Sequence, residues 1–331
     1  MKVRLLILVL VGFSFAKKAR SQDPQISQFI FAPVYLNPAL AGETRQWRFT
    51  INSRIQWPST KAKYVSNALT AEYNVEANHS GLAAQILHDE SGSGKLTYVS
   101  AGGVYSYKAY LGRKLKLNFG IKGSFNQRYF DRGALIFASD IAENSSNAAP
   151  LDLKENVKYF DVGSGAALVS RRWWVGISLD HLNRPNYAFS STESRLALKY
   201  SLHAMYEFVT ARDKKKQIAE SIVVGANYKG QLEWDQLDIG GFYNYHNAIF
   251  GIFYRGVPVQ STVPNNINQD AMIVIAGYKW LGLRINYSYD ITVSKVYKET
   301  GGTHEFSLIT EYPFRPPKRR RSSRILPCPK W

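Results

Sequence analysis

The chain of 331 residues has a single cysteine, Cys328, which limits how its fold is held together. One thiol cannot form a disulfide within the chain, so the disulfide frameworks of small secreted proteins are excluded. Long apolar runs are also missing. After the first 16 residues, no apolar run approaches the length of roughly 20 residues that a membrane-spanning helix needs. The mean hydropathy of -0.26 likewise excludes a bundle of such helices.

Motifs for catalysis and metal binding are missing as well. The histidines stand one to a segment, without the close spacing of zinc ligands, at His79, His88, His181, His203, His246 and His304. No serine stands in a G-x-S-x-G elbow, and the phosphate loop G-x-x-x-x-G-K-[ST] does not occur. A catalytic triad is assembled in space, so the sequence alone does not exclude one. We predict no enzyme activity, no catalytic residues, no metal site and no cofactor.

The chain begins with a basic and apolar leader. Lys2 and Arg4 precede an uncharged run over 5–16, and small residues follow at Ala19 and Ser21. This pattern predicts a secretory signal peptide over residues 1–21, cleaved before Gln22. The alternative is a transmembrane anchor, but the run of about a dozen residues is too short to span a bilayer.

The rest of the chain alternates between apolar and polar residues with a period of two. In residues 114–125, KLKLNFGIKGSF, Phe119 faces one side and Lys116 the other. A soluble β-sandwich alternates too, but these segments run about 10–13 residues, which is long for a globular sheet and suits tilted membrane strands. Trp47 and Trp57 bracket the first segment as an interfacial aromatic girdle would. We therefore predict an all-β fold, an outer-membrane β-barrel, in which Phe119 and Ile285 face lipid and Lys116→Leu is tolerated.

Counting these segments predicts about 14 antiparallel strands. They lie near 45–57, 64–74, 80–89, 95–110, 114–126, 157–169, 172–181, 195–208, 218–230, 233–245, 247–256, 269–279, 281–291 and 303–312, so the barrel covers 45–314. Connections after even-numbered strands are mostly short and those after odd-numbered strands are longer. Because short turns face the periplasm in such barrels, both termini are predicted to be periplasmic. The connection TARDKKKQ, 210–217, is long and basic and does not fit this rule.

Residues 22–42, QDPQISQFIFAPVYLNPALAG, precede the first strand and show no regular period. Their prolines interrupt helices and strands, and their aromatic side chains need a surface on which to be buried. We predict that 22–44 form an N-terminal segment that lies at the periplasmic entrance or plugs the lumen. Phe29, Phe31 and Tyr35 are its expected anchors.

This stretch, with NPALAG at 37–42, resembles the N-terminal signature of the PorP/SprF family, and length, leader and strand pattern extend the resemblance over the chain. The resemblance implies an outer-membrane protein of the type IX secretion system and of gliding machinery. Members work with secreted proteins at the cell surface, some within the secretion and motor assembly and others in the export or retention of large adhesins. It implies no catalytic residues.

The sequence ends in RPPKRRRSSRILPCPKW, residues 315–331, with seven positive charges and no carboxylate. Much of the net charge of +17 comes from this stretch and from the leader. A block of like charge usually forms a disordered interaction arm, so we predict a periplasmic tail that binds a partner. Nucleic acid is not expected in that compartment, which leaves a peptidoglycan-associated protein, anionic lipid headgroups or an acidic subunit.

Two functions are compatible with these features. The first is a non-enzymatic component that binds secreted adhesins and periplasmic secretion or motor subunits. The second is a passive or substrate-specific porin, for which the charged inward faces are the evidence. The N-terminal segment and the tail favour the first, because a simple pore needs neither. The predicted partner-binding residues are Phe29, Phe31, Tyr35, Asn37, Pro38, Arg319, Arg320, Arg321, Cys328, Pro329 and Trp331.

Overall fold

The computed structural model describes residues 23–92, 94–131, 154–213, 218–232, 234–257, 268–293 and 301–312. The predicted signal peptide, 1–21, and the predicted tail, 315–331, lie outside these residues. Within the described part of the chain, no helix is both long and apolar enough to cross a membrane.

Fourteen antiparallel strands form one closed barrel, which confirms the predicted fold class. The strands are β1 Trp47–Gln56, β2 Tyr64–Val75, β3 Ser80–Ser91, β4 Leu96–Tyr110, β5 Leu115–Tyr129, β6 Asn156–Ser170, β7 Trp173–Asp180, β8 Lys199–Arg212, β9 Ile218–Gln231, β10 Trp234–Tyr245, β11 Ala248–Val257, β12 Asn268–Trp280, β13 Leu283–Thr292 and β14 Thr303–Tyr312. Each strand pairs with its neighbours along the chain, and β14 closes the barrel by pairing with β1. A closed barrel leaves no strand edge exposed to lipid.

The first residue of β1, Trp47, pairs with the last residue of β14, Tyr312. We call this side of the barrel the terminal end and the other side the far end. At the terminal end several turns have only two residues, such as Arg171–Arg172 between β6 and β7. The longest connections, 130–155 and 181–198, lie at the far end. The same-side placement of the first and last strand ends is as predicted, and the side of the membrane stays a prediction.

The two faces of the wall differ as the alternation predicts. Phe119 and Ile285 point outward and are 50% and 49% exposed. Lys116 and Ser288 point inward and are buried. Apolar side chains toward lipid and polar ones inward are typical of membrane barrels.

The start of β8 differs from the prediction. The alternation over 195–208 predicts a strand from Arg195, but β8 begins at Lys199. Leu196 and its neighbour Ala197 are both buried. In a strand with one buried face, adjacent side chains point to opposite faces, so this pair does not fit a strand. The Leu196 N–H instead donates to the Pro185 carbonyl at 2.9 Å, so the β7–β8 connection folds back on itself.

The inward faces of the strands carry charged residues, such as Arg54 and Glu305, as predicted, but the lumen is not uniformly polar. Inward residues of β8 to β12 form an apolar core inside the barrel, which includes Met205, Val223, Phe242, Ile249, Phe253 and Ile273. In sequence, β11 and β12 read as nearly continuous apolar runs, AIFGIF and AMIVIA. Such runs indicate burial on both faces of a strand.

The outward face generates a test of lipid contact. Ile252, in the middle of β11, is 55% exposed, and Leu281, at the tip of the β12–β13 turn, is 91% exposed. Ile252→Arg should lower the free energy of unfolding by about 2–4 kcal/mol, because it places a cation in hydrocarbon. Leu281→Arg should cost about 0–1 kcal/mol, because a turn tip reaches the interface. Urea unfolding in lipid vesicles measures both, and equal losses would refute the assigned facing.

Candidate functional site

The described part of the N-terminal segment, residues 23–44, lies inside the barrel, and we call it the lumenal segment. Asp23 accepts a hydrogen bond from Lys199, the first residue of β8, which is at the far end. Glu43 contacts Lys116, the second residue of β5, which is at the terminal end. The segment therefore runs through the lumen from the far end to the terminal end, where it continues into β1.

Two prolines set the local structure of this segment. Pro33 starts a single helical turn, Pro33–Leu36, and Pro38 starts a 3-10 turn, Pro38–Leu40. Proline suits the first position of a helical turn because its fixed φ is compatible and its missing N–H is not needed there. The Asn37 side chain caps the second turn by accepting from the Ala39 N–H at 2.8 Å. The NPAL sequence thus folds as a cap followed by a turn.

Asn37 is also the main polar attachment of the segment to β6, β7 and β8. Its Nδ2 lies 3.1 Å from the carbonyl oxygens of Ala166 and Ile177 and 3.0 Å from Nε2 of His203. Asn37 and His203 are almost fully buried. A Cβ atom at position 165 would overlap Asn37 Oδ1, so Gly165 provides the space for the amide. Buried polar groups are stabilising only when they are paired in this way.

The backbone carbonyls of the next residues of the segment accept hydrogen bonds from side chains of β4 and β5. Asn118 Nδ2 donates to the Ala39 carbonyl at 3.1 Å, and Ser106 Oγ donates to the Ala41 carbonyl at 2.7 Å. A Cβ atom at position 120 would overlap Pro38 and Ala39, so Gly120 allows the two backbones to meet. The inward polar side chains of these strands therefore provide hydrogen bonds to backbone carbonyls of a segment that does not pair with any strand.

A buried ion pair fixes the end of the segment near β1. Lys116 Nζ contacts both carboxylate oxygens of Glu43, and Asn118 donates to the same carboxylate at 2.9 Å. Burial raises the pKa of Glu43, but the Lys116 and Lys108 ammonium groups outweigh this and hold it below its usual value. The expected tolerance of Lys116→Leu is therefore wrong. That change would leave a buried carboxylate without its main cation, a class of defect that costs about 3–5 kcal/mol.

Another polar cluster holds the segment against β13 and β14. The Ser27 and Gln28 N–H groups donate to the Glu305 carboxylate at 2.6 and 3.0 Å. Gln28 Nε2 donates to Ser288 Oγ, and its Oε1 accepts from Ser307 Oγ. Each polar atom of the Gln28 side chain is thus paired within the lumen.

Between these polar attachments the segment contributes to the apolar core of the barrel. Phe29 packs edge-on against Phe253, with ring centroids 5.7 Å apart, and Phe31 packs against Phe242 at 5.5 Å. Ile30, Leu36 and Leu40 belong to the same cluster. Burial of each such side chain contributes about 1.5–3 kcal/mol relative to exposure in water. The lumenal segment and the inward-facing side chains of the strands therefore form one apolar core.

At the far end, charged groups hold Asp23. His181 Nε2 lies 2.8 Å from Asp23 Oδ2, and His181 Nδ1 lies 3.0 Å from Asp161 Oδ1. Burial lowers the pKa of His181, but the Asp23 and Asp161 carboxylates outweigh it and raise the pKa to about 9. Burial raises the pKa of Asp23, but Lys199 and His181 outweigh this and hold it well below its usual range. At neutral pH an imidazolium therefore bridges the two carboxylates.

Beyond the segment, toward the far end, the lumen contains a cavity of about 600 Å³. Its lining is mixed, with tyrosines and charged groups that include Tyr35, Arg54, Tyr98, Lys199 and Lys229. The volume is in the range of ordinary ligand sites. Among the residues that the structure describes, no group of three or more His, Cys, Asp or Glu is placed to hold a metal ion.

The structure brings together five of the predicted partner-binding residues. Phe29, Phe31, Asn37 and Pro38 are buried and Tyr35 is partly buried, and the described contacts of all five are within the chain. That they bind a partner stays a prediction. The other predicted residues, Arg319, Arg320, Arg321, Cys328, Pro329 and Trp331, lie outside the described residues.

Sequence reasoning missed the residues of the wall that hold the segment. They include Lys116, Asn118, His203, Ser288 and Glu305. Their alternation identifies them as inward-facing, but a polar inward residue has the same pattern whether it faces water or chain. The glycines within strands are the stronger signal, because a strand glycine often marks close approach of another backbone.

Residues 18–310 match the family described as "Type IX secretion system membrane protein PorP/SprF". Similar solved structures include the CymD monoaromatic hydrocarbon channel, at 11% identity over 85% of this chain and 93% of that chain, with a TM-score of 0.48. The Pseudomonas putida toluene transporter TodX is 10% identical over 84% and 91%, with a TM-score of 0.45. A Pseudomonas aeruginosa FadL homologue is 15% identical over 86% and 94%, with a TM-score of 0.41. No curated protein matches the sequence.

The fit around Asn37 predicts unequal effects of adding one methyl group to two strand glycines. Gly165→Ala places its Cβ on the Asn37 amide, whereas a Cβ at Gly103 meets no atom within 4 Å. Gly165→Ala should lower the free energy of unfolding by about 1–3 kcal/mol, as overpacking does. Gly103→Ala should leave it unchanged or raise it slightly, because alanine restricts the unfolded chain. Equal effects in urea unfolding would contradict the described position of Asn37.

The far-end cluster predicts a pH dependence. A folded-state pKa of about 9 for His181 lies above the ordinary 6.5, so its stabilising effect is complete below pH 6.5 and disappears as the pH rises through 9. Between these values the wild type should lose about 2–3 kcal/mol of unfolding free energy more than His181→Gln does. Unfolding of both proteins at several pH values measures this difference, and parallel curves would show that His181 is not an imidazolium in the fold.

Proposed function

The chain belongs to the PorP/SprF family of type IX secretion system membrane proteins, and from this premise we propose that it acts as a plugged barrel that binds protein partners. In this role it is not an enzyme. It supports the secretion or the cell-surface attachment of secreted adhesins, and gliding where these adhesins drive it. Its partners are the adhesins and periplasmic subunits of the secretion and motor assembly.

The observation that carries this proposal is the filling of the lumen by the lumenal segment. A channel needs a continuous aqueous path, and this segment occupies the lumen through buried pairs such as Asn37–His203 and Glu43–Lys116. Its departure would expose the apolar inner faces of Val223, Phe242 and Ile273 to water. These costs favour a segment that stays in place while the ends of the barrel bind partners.

The proposed orientation follows from the connections. The terminal end, with its two-residue turns, faces the periplasm, and the far end, with the long connections, faces outward. The predicted signal peptide delivers the chain to the outer membrane, and the predicted basic tail follows Tyr312 into the periplasm. Periplasmic subunits then meet the terminal end, and secreted proteins meet the far end.

The channel alternative has one observation in its favour, the cavity in the far half of the lumen. It requires that the lumenal segment leave the barrel or shift within it. A partner-binding role makes no such demand, so the two functions differ in whether the segment must move.

A disulfide lock tests this difference. Ser106 Oγ lies 2.7 Å from the Ala41 carbonyl, so the two residues are adjacent, and the lock combines Ala41→Cys with Ser106→Cys. Loss of free thiol on oxidation, measured first, establishes that the bond ties the segment to β4. Cys328→Ser removes the native thiol. The oxidised lock should support adhesin secretion and partner co-purification from solubilised outer membranes as well as the Cys328→Ser protein does, because the segment does not leave. The two single-cysteine variants and the reduced lock are the controls. Loss of both activities on oxidation, with recovery on reduction, would overturn the plugged-barrel proposal.

A further inference from the structure

The turns of the terminal end differ in charge around the rim. The β4–β5 turn contains Arg113 and Lys114, and the β6–β7 turn is Arg171–Arg172. All four residues are exposed, and none forms an ion pair with another described residue. Arg212 ends β8 at the same end of the barrel. We call these five residues the basic arc.

The basic arc is continuous because β4 to β9 are neighbours in the barrel. Its first two turns are joined directly, since Ser170 Oγ donates to the Lys114 carbonyl at 3.1 Å. The other described turns at this end have no lysine or arginine; they are 76–79, 246–247 and 281–282. Arg45, before β1, is a further exposed cation, and the carboxylates next to Arg212 include Asp213 and Glu220, which pairs with Ala211. Among the described turns, the exposed positive charge is thus concentrated on one side of the rim, while Lys279 and Arg284, beside the β12–β13 turn, are half-buried.

The basic arc is also uneven in height. The pairing of β7 with β8 ends at Trp173 and Tyr206, while β8 continues to Arg212. Arg212 therefore stands beyond the neighbouring β6–β7 turn, Arg171–Arg172. A stepped surface of this kind places its cations at different depths along the barrel axis.

The same hairpins hold the lumenal segment on their inner side. Lys116 and Asn118, which follow the β4–β5 turn by a few residues, bind Glu43 and Ala39. Gly165, shortly before the β6–β7 turn, makes room for Asn37. A partner on the basic arc would thus contact the part of the wall that is stiffened by residues 37–43.

We propose that the basic arc is a docking surface for an acidic protein. Anionic lipid surrounds a barrel on all sides and at one depth, so lipid contact would favour cations in every turn and at one level. A one-sided and stepped group of cations instead suits a folded partner, whose acidic surface steers it to the arc and fixes its orientation. Arginine is also enriched in the centres of protein interfaces. The proposal rests on the proposed partner-binding function.

The test uses the full-length protein in phosphatidylcholine nanodiscs and fluorescent poly-L-glutamate as the acidic probe. The arc variant combines Arg113→Glu, Lys114→Glu, Arg171→Glu and Arg172→Glu. The matched control makes the same charge change with exposed cations of the far end, Lys61→Glu, Lys63→Glu, Lys95→Glu and Arg184→Glu. Heat-modifiable gel mobility confirms that each barrel is folded, and Arg171→Ala with Arg172→Ala is the milder variant if charge reversal impairs assembly.

The arc variant should bind the probe about tenfold or more weakly than the wild type at low salt, and the difference should shrink as salt is added. The far-end control should bind within about twofold of the wild type. Equal weakening of both variants would show a general charge effect and overturn the proposal. So would nanodiscs with phosphatidylglycerol, if they abolished the difference in probe binding between the wild type and the arc variant, because the lipid would then occupy the arc. Simple repulsion of the probe by this lipid would weaken both proteins alike and keep the difference. No secretion partner is used, so a negative result leaves the disulfide-lock test of the plugged barrel unaffected.

Discussion

The interior of a closed barrel of fourteen strands must be filled, either by water, by side chains of the wall or by an inserted segment of polypeptide. Here the N-terminal segment of the same chain fills it. This constraint accounts for features that are otherwise unrelated. Polar inward residues such as Asn118 and Glu305 pair with a backbone that has no strand partner. Glycines such as Gly165 allow that backbone to approach the wall. The apolar inner faces of β8 to β12 are compatible with water-free packing only because Phe29 and Phe31 cover them.

The wall could be predicted from the sequence because its determinants are local. The period of two, the segment lengths and the aromatic ends depend on neighbouring residues, so all fourteen strands lie near their predicted positions. The exception is the start of β8. Leu196 and Ala197 continue the apolar pattern, but the chain folds back there and the strand begins only at Lys199. The prolines of the lumenal segment likewise indicate its turns, because their effect is on their own backbone.

The pairing of the lumenal segment with the wall could not be predicted in the same way. Asn37 meets His203, which is 166 residues away in the sequence, and Gln28 meets Ser307, which is 279 residues away. No local pattern specifies which inward residue receives which part of the segment. The apolar runs of β11 and β12 do indicate burial on both faces of these strands. Since an apolar inner face must pack against other apolar groups, the runs also indicate that part of the chain lies inside the barrel. The predicted tail lies outside the described residues, so its role rests on its charge alone.

The most direct measurement of the central claim is the accessibility of the lumenal segment in intact outer membranes. Ala39, in the lumenal segment, is fully buried against β5, whereas Lys61 is exposed at the far end. In a Cys328→Ser background, a cysteine at position 39 should resist a hydrophilic maleimide in the membrane and react fully after denaturation. A cysteine at position 61 should react at once. Labelling of position 39 in folded barrels at the rate of position 61 would mean that the lumen is open and that the segment does not fill it.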